Sequence, residues 1–588
     1  MRTKNLISTI ILLHCCTVLL AQHVKFDVDD SRQRGYYDRP YIRYEAEPGK
    51  CLSNSSAFLP PTHDQQALQS EASNQQALQL LRAGDFVEWT VDFEANALTL
   101  RFSLPDAADG NGLQGELDIC VNGKAVKRLD LSSYWAWQYA FYGSQDKMLD
   151  NIPSEDKFAR MRFDETHVLL PTTLHVNDRV SLLKVSEDGI PYTIDFVELE
   201  LAENPLQFKD IKDKNKVAYS PEQGDIADFI ASHGGMTIYI PVGKFYTDKR
   251  IEITAPHTRL LGAGMWYSEI YFTASSDNLD TYSHRGIFCQ QDSCEVNGLY
   301  LNTVNSQRYY HKNSRYQVGK SLMGSFGTGS KISHVWSEHF ECGGWIDRCI
   351  NLQVSYCRFR NNYADGINLD FGSRNSSVSH CSFRNNGDDD MASWSRGQEF
   401  CEQILYEYNT AENNWRASSV GFFGGKGHIA RKIVVIDAME AGVRTTCDFP
   451  GREFSDEGTI LYEDISIWRS GCSNGSLGFS GDLINGMSAG AIHITAFKTY
   501  DLVNVTFRGI DIYDAKDDAV FINCNNGKKV INLLLDRIHV YGAGGHGISL
   551  NESAGNATFS NLQFERTAKS PIAENLTNGY FVIQEINQ

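Results

Sequence analysis

From Tyr41 to about Glu203 the chain is written in short runs where apolar and polar residues alternate. Asp85-Phe86-Val87-Glu88-Trp89-Thr90-Val91 and Leu98-Thr99-Leu100-Arg101-Phe102-Ser103-Leu104 are examples, and clusters of Gly, Asn and Asp separate them. Short alternating strands at this spacing predict an antiparallel β-sandwich over residues 41–203. Asn204-Pro205 and the charged stretch Lys209–Lys216 mark residues 204–223 as a linker. Asp225-Ile226-Ala227-Asp228-Phe229-Ile230-Ala231-Ser232 then predicts a helix, stopped by His233-Gly234-Gly235, a good C-cap. Met236-Thr237-Ile238-Tyr239-Ile240-Pro241 reads as the strand that follows. A helix covering the first coil is how many parallel β-helices begin.

The rest of the chain repeats. Ser355, Cys357, Phe359, Arg360, Asn361, Asn362 and Asp365 recur as Ser379, Cys381, Phe383, Arg384, Asn385, Asn386 and Asp389, each 24 positions later. Asn504, Ile510, Ile512, Tyr513, Ala515 and Val520 return 28 positions later as Asn532, Ile538, Val540, Tyr541, Ala543 and Ile548. Periods of this length predict a solenoid, and roughly ten to twelve coils of about 24–30 residues fit between residue 236 and the end. The fold class is therefore all-β: a right-handed parallel β-helix over 224–588, preceded by the sandwich. Inward Val, Ile, Phe and Cys would stack coil on coil, and corner Asn residues would satisfy turn amides.

Composition narrows the function. The chain has 588 residues, 54 Lys plus Arg against 73 Asp plus Glu, and a net charge of −19. A protein built to grip nucleic acid or an anionic membrane needs a basic surface, so neither is an expected partner. The 48 Gly against 14 Pro suit a chain with many corners. Residues 1–21 read as a secretory signal, with Arg2 and Lys4 before the apolar run Leu6–Leu20 and Ala21 at the cut. That run is too short to span a bilayer comfortably. Residues 22–40 are polar and read as a linker. The protein is expected to be exported, extracellular or periplasmic, and monomeric; lipidation at Cys15 or Cys16 is the alternative. Export permits disulfides, and Cys289/Cys294 and Cys342/Cys349 are near enough in sequence to pair, although free buried thiols fit equally.

Candidate chemistry sits in the 24-residue repeat. If the two repeats are successive coils, Asp365 stacks on Asp389 at the strand spacing of about 4.8 Å, with Asp388 beside them. Carboxylates this close cannot all ionise, so at least one proton is held at raised pKa. An acid that protonates a glycosidic oxygen and a base that activates water need that condition. A solvated acidic turn or a calcium site is the bland alternative for an isolated Asp-Asp-Asp run. Trp336, Trp345, Tyr363 and Trp394 surround the repeat in sequence and are candidate sugar platforms, although each taken singly reads as core. His339 is a candidate substrate or buttressing residue, with a hydrogen-bonded structural role as its alternative. Asp517-Asp518 repeats the acidic pair far away and reads as a turn.

Val335-Trp336-Ser337-Glu338-His339, Asp365-Gly366-Ile367-Asn368 and Arg384-Asn385-Asn386-Gly387-Asp388-Asp389 resemble glycoside hydrolase family 87, the α-1,3-glucanases or mutanases. The resemblance covers most of the chain, including a carbohydrate-binding-module-like sandwich. It implies an inverting hydrolase of α-1,3-glucan or a related α-glucan, with Asp388 as general acid, Asp365 and Asp389 holding the attacking water, and no cofactor required for catalysis. Asp390, a third consecutive acid, departs from the pattern. The early Tyr44-Glu45-Ala46-Glu47 and late Ile194-Asp195 resemble carbohydrate-binding modules of families 35 and 6, which implies a structural calcium held by Glu45, Glu47 and Asp195. Ser133-Tyr134-Trp135-Ala136-Trp137-Gln138-Tyr139 reads either as a sugar platform or as a brace against the β-helix. The acidic triad is also similar to that of polygalacturonases, but Gly545-His546-Gly547 lies too far downstream for that family's motif, which leaves a pectin hydrolase as the alternative enzyme. A β-helical polysaccharide-binding protein with an inert acidic patch is the non-enzymatic alternative.

Overall fold

The computed structural model describes residues 32–141, 151–273, 285–308, 319–447, 451–472, 490–496, 499–576 and 580–586. The expected signal (1–21) and the first part of the expected linker (22–31) lie outside the described residues.

Two antiparallel sheets form the sandwich. One contains Ala95–Ser103, Asp164–Leu174, Tyr192–Glu200, Ala77–Leu80 and Ala57–Leu59, with Tyr41–Glu45 paired to Tyr192–Glu200. The other contains Leu52–Ser53, Phe86–Thr90, Arg179–Lys184, Gln114–Val121 and Lys124–Ser132. The alternating Val87, Trp89, Leu98, Leu100 and Phe102 all face the core between them.

The remaining chain is a parallel β-helix. One sheet stacks twelve described strands in sequence order, from Arg250–Ile253 to Ile572–Asn575. Two further columns of strands run side by side in a second sheet. Gln353–Ser355 lies on Ser377–Ser379 in one column, and Arg358–Arg360 lies on Ser382–Arg384 in the other. The 24-residue repeat is one turn: Val354 pairs with Val378, Phe359 with Phe383 and Ile367 with Met391. The 28-residue echo is another, pairing Ile510 with Ile538 and Val520 with Ile548. Inside, Phe359 stacks on Phe383 with centroids 5.3 Å apart. At the corner, Asn385 donates to Asn361 at 2.8 Å and Asn362 to Asn386 at 3.0 Å. Asn361 and Asn385 stand at φ 53° and 57°, the left-handed region that Asn tolerates. The helix Ile226–Ser232, N-capped by Asp225, buries Ile226, Phe229 and Ile230 over the open first coil.

Both linkers are more structured than their polarity implied. Lys216–Ala218 already pairs in parallel with Thr237–Ile240, so the solenoid begins inside the expected 204–223 linker. Residues 34–36 lie along the β-helix: Gly35 N donates to Lys432 O at 2.8 Å and Tyr36 N to Thr410 Oγ1 at 2.9 Å. Cys289, Cys294, Cys342 and Cys349 are buried free thiols, so of the two alternatives the unpaired one is found for both candidate disulfides.

The sandwich is fused to the solenoid through charge. Strand Tyr192–Glu200 is buried along its whole length. Tyr192, Ile194, Val197 and Leu199 enter the sandwich core. On the side facing the β-helix, Glu198 meets Arg43 at 2.8 Å, Arg384 at 2.5 Å and Arg360 at 3.4 Å. Glu165 takes further bonds from Arg384 at 2.6 Å and Arg360 at 3.1 Å, and Glu412 takes Arg43 at 2.8 Å and Arg384 at 2.9 Å. The three arginines hold Glu198 well below the usual carboxylate range despite its burial. Removing one member of such a network strands the others without counter-charge, which costs about 3–5 kcal/mol. Glu198→Ala should lower the unfolding free energy by that amount in denaturant titration, whereas substitution of the exposed Glu116 should change it by less than about 1 kcal/mol.

Candidate active site

Asp365 lies two residues before strand Ile367–Asp370, and Asp389 lies two before Met391–Trp394 with Asp388 ahead of it. Because Ile367 pairs with Met391, Asp365 lies one rung from Asp389. Backbone bonds fix this corner: Gly366 N donates to Asp389 O at 3.0 Å, Ile367 N to Asp390 O at 2.9 Å and Asp390 N to Ser418 O at 3.0 Å. Gly387 makes the preceding turn possible, since a Cβ there would sit 1.9 Å from the Trp415 ring and 2.4 Å from Tyr363 O. The chain then alternates, as strands do. Asp389 faces the cleft, while Asp390 is wholly buried and accepts from Asn386 Nδ2 at 2.8 Å. Burial pushes Asp390 up to about 8. The departure from the family pattern is therefore a structural acid beside the triad.

Asp365, Asp388 and Asp389 bring one carboxylate oxygen each to within 4.8 Å of one another. Asp365 and Asp389 are 5% and 7% exposed, and the Asp388 side chain is 20% exposed. Asn368 Nδ2 donates to Asp365 Oδ2 at 2.9 Å, and Ser418 Oγ donates to Asp389. Asp388 Oδ2 accepts from Arg308 Nη2 at 2.5 Å and Arg416 Nη1 at 2.6 Å. Burial, then the Asp388 charge, raises Asp365 to about 7. Burial and the charges of Asp388 and Asp365 hold Asp389 well above the usual carboxylate range. Two guanidiniums on one oxygen favour a carboxylate at Asp388, so protons reside on the buried pair behind it.

The triad borders a cleft of about 710 Å³, a size that suits a ligand of several rings. Trp345, Trp394, Phe288 and Phe423 supply its apolar surface, and Arg250, Lys320 and Arg396 its cationic rim. Trp345 and Trp394 meet edge to face at 6.4 Å, and Lys320 Nζ lies 5.2 Å from the centre of Trp345.

Three expected substrate contacts lie elsewhere. Trp336 is fully buried and stacks on His167 at 4.0 Å. His339 is held between domains: Nδ1 is 2.8 Å from Asn302 Oδ1, Nε2 is 3.0 Å from Asp164 Oδ1, and its ring stacks on Trp135 at 4.7 Å. Tyr363, also buried, donates its hydroxyl to Trp135 O at 2.9 Å and packs with Trp415 and Met439. None can touch a sugar. Their neighbours in sequence pointed to the right coil, but the residues face the sandwich, and nothing in the chain order tells that face from the cleft. Arg308, Arg416, Asn368 and Ser418 were missed. Asn368 and Ser418 flank the triad by register. Arg308 comes from a loop that periodicity does not cover.

Glu45, Glu47 and Asp195 stand close enough to feel one another's charge, and most of their oxygens are engaged within the protein. Asp195 pairs with Arg101 and accepts the Ser73 amide at 3.1 Å. Glu45 accepts from Ser73 Oγ at 2.9 Å, and Glu47 from Asn74 Nδ2 at 2.7 Å and Lys50 at 2.7 Å. Arg101 is the counter-ion of Asp195 there, while Glu45 Oε2 is buried with no hydrogen-bond partner. Segment 133–139 braces the β-helix, with Trp135 Nε1 donating to Thr303 O at 3.0 Å and Tyr134 Oη to Val304 O at 2.9 Å. Asp517 and Asp518 form a turn, where Asp518 Oδ1 accepts from His546 N at 2.7 Å.

Clustered carboxylates beside aromatic rings in a cleft on a β-helix are the arrangement that glycoside hydrolysis needs. The family models of α-1,3-glucanase catalytic domains D1 and D2 match residues 38–202 and 220–572, so the chain belongs to the α-1,3-glucanase catalytic-domain family. It is a glycoside hydrolase, and the pectin alternative falls away. The Agl-KA catalytic domain is 29% identical with a TM-score of 0.81, over 94% of this chain and 99% of that one. A GH87 α-1,3-glucanase catalytic domain in complex with nigerose shares the fold at 21% identity and TM-score 0.80, over 95% of this chain and 100% of that one. A thermostable GH87 α-1,3-glucanase catalytic unit from Streptomyces thermodiastaticus does so at 22% and 0.77, over 94% and 97%. Comparison with curated proteins finds no match.

The raised proton affinity of Asp365 has a stability consequence. An unfolded Asp ionises near pH ~3.9. The folded group does so near 7, so its contribution is fully present below pH ~4 and lost as pH rises through about 7. Asp365→Asn should therefore be about as stable as the parent at pH 4 and about 2–4 kcal/mol more stable at pH 8, read from unfolding at the two pH values.

Proposed function

We propose that the protein hydrolyses α-1,3-linked glucan with inversion, using Asp388 as acid and Asp365 with Asp389 as the water-holding pair. The observation that carries this reading is the in-register stacking of Asp365 on Asp389 with Asp388 beside them in the aromatic cleft. Relatives support it. One GH87 enzyme has been crystallised with nigerose or tetrasaccharides as three single Asp-to-Ala variants, whose second and third positions follow the first by 23 and 24 residues. Asp388 and Asp389 follow Asp365 by the same intervals.

Roles follow from exposure and charge. Asp388 is the most open of the three and reaches the leaving oxygen. Water held at about 2.8 Å from each of two oxygens fits between groups up to ~5.6 Å apart, which the Asp365–Asp389 pair satisfies. In the ligand-free protein the proton sits on the buried pair and Asp388 is ion-paired. Transfer of one proton from Asp389 to Asp388 as sugar enters arms both groups: Asp388 becomes the acid and Asp389 the base. The glycosidic oxygen then takes that proton, the C1–O bond breaks, and water adds to C1 from the opposite face while giving its proton to Asp389. Export from the signal-like residues 1–21 would bring the enzyme to an extracellular polysaccharide.

Asp365→Asn, Asp388→Asn and Asp389→Asn should each lower kcat on α-1,3-glucan by about 100-fold or more. A glucosyl substrate whose leaving group needs no proton should restore Asp388→Asn and neither of the others; rescue of Asp389→Asn instead would reverse the assignment. Proton NMR of the first product should show the β-anomer, and an α-anomer would rule out single displacement by water.

A further inference from the structure

The aromatic segment 133–139 does more than brace two domains, because its polar groups end on the loop that delivers Arg308. Trp135 and Tyr134 hold the carbonyls of Thr303 and Val304. Gln138, fully buried, continues the series with both ends of its amide: Nε2 donates to Ser306 O at 3.0 Å, and Oε1 accepts from Arg308 N at 3.0 Å. A side-chain amide that takes one carbonyl and one N–H two residues apart does what a neighbouring strand would do for that stretch. Arg308 then spans the remaining distance, with Nη1 on Gly387 O at 2.8 Å and Nη2 on Asp388 Oδ2 at 2.5 Å.

We propose that Gln138 is a positioning residue for hydrolysis: by fixing the backbone at Ser306 and Arg308, the sandwich sets the place and charge environment of the Asp388 carboxylate. The inference rests on the acid role given to Asp388. It assigns the sandwich a part in the reaction that does not involve binding sugar. Buried amide groups lose most when one partner is removed, so truncating Gln138 takes a hydrogen bond from both Ser306 O and Arg308 N. Arg416, the second guanidinium on Asp388, comes from the β-helix itself and makes its contact at 2.6 Å. Arg308 is thus the contact through which the sandwich acts.

The test compares Gln138→Met, Arg308→Met and the double variant. Each should leave the melting temperature within a few degrees and KM within about twofold. Gln138→Met should lower kcat roughly 10- to 100-fold, and adding it to Arg308→Met should cause no further loss. Loss of a guanidinium favours the protonated acid, so the alkaline limb of the pH–rate profile should move to higher pH in both single variants. A carbon-13 titration of the Asp388 carboxyl, identified by its loss in Asp388→Asn, reads the same effect without substrate. A shift to higher pH in Gln138→Met supports the clamp even if kcat is unchanged, in which case the acid role of Asp388 fails instead. A carboxyl titration unmoved in Gln138→Met, or kcat losses that multiply in the double variant, overturns the proposal. If Gln138→Met does not fold, Gln138→Glu keeps the acceptor for Arg308 N and loses the donor to Ser306, and it is held to the same outcomes.

Discussion

Parallel pairing in register is the constraint from which the rest of this molecule follows. A strand laid on its predecessor at about 4.8 Å puts like residues on like residues whenever the chain repeats. In the coils around Asp365 it does so four times. Phe359 lies on Phe383 inside, Asn361 on Asn385 at the corner, Arg360 on Arg384 toward the sandwich, and Asp365 beside Asp389 in the cleft. The first two stacks stabilise themselves, by ring contact and by an amide ladder. The other two place like charges together and demand a remedy.

The two remedies differ, and the difference separates structure from chemistry. The stacked arginines are neutralised by Glu165, Glu198 and Glu412, so every member stays ionised and the interface is locked. Among the described residues no ion pair is formed by the stacked acids, although Arg308, Lys320 and Arg444 lie near enough to be felt. Arg308 and Arg416 go to Asp388, and the buried pair resolves its repulsion by keeping protons. One repeat thus builds an inert ionic joint on one face and a proton reservoir on another. Which face becomes which depends on what packs against it: a sandwich in the first case, an open groove in the second.

The solenoid, its period and the acidic rungs were legible because pairing conserves spacing; the offset between Asp365 and Asp389 is the coil length. The capping helix was legible from its stop signal. The failures share a cause. Trp336, His339 and Tyr363 belong to the right coils but face His167, Asp164 and Trp135 rather than the cleft, and a period reports the rung without reporting the face. The arginine that meets Asp195 was not legible either, because Arg101 lies 94 residues earlier in the chain. Arg308 was invisible because its partners Gln138 and Asp388 lie 170 and 80 residues away in sequence.

Strand Tyr192–Glu200 serves two interiors at once, oily on one side and ionic on the other. A module that can be shuffled between proteins must present a finished surface at its boundary, and this one does not. Its outer wall is the inner wall of its neighbour. Recombination that moved either half alone would carry away half of the counter-charges and leave the others facing solvent. The two halves are therefore bound to be inherited and to diverge together.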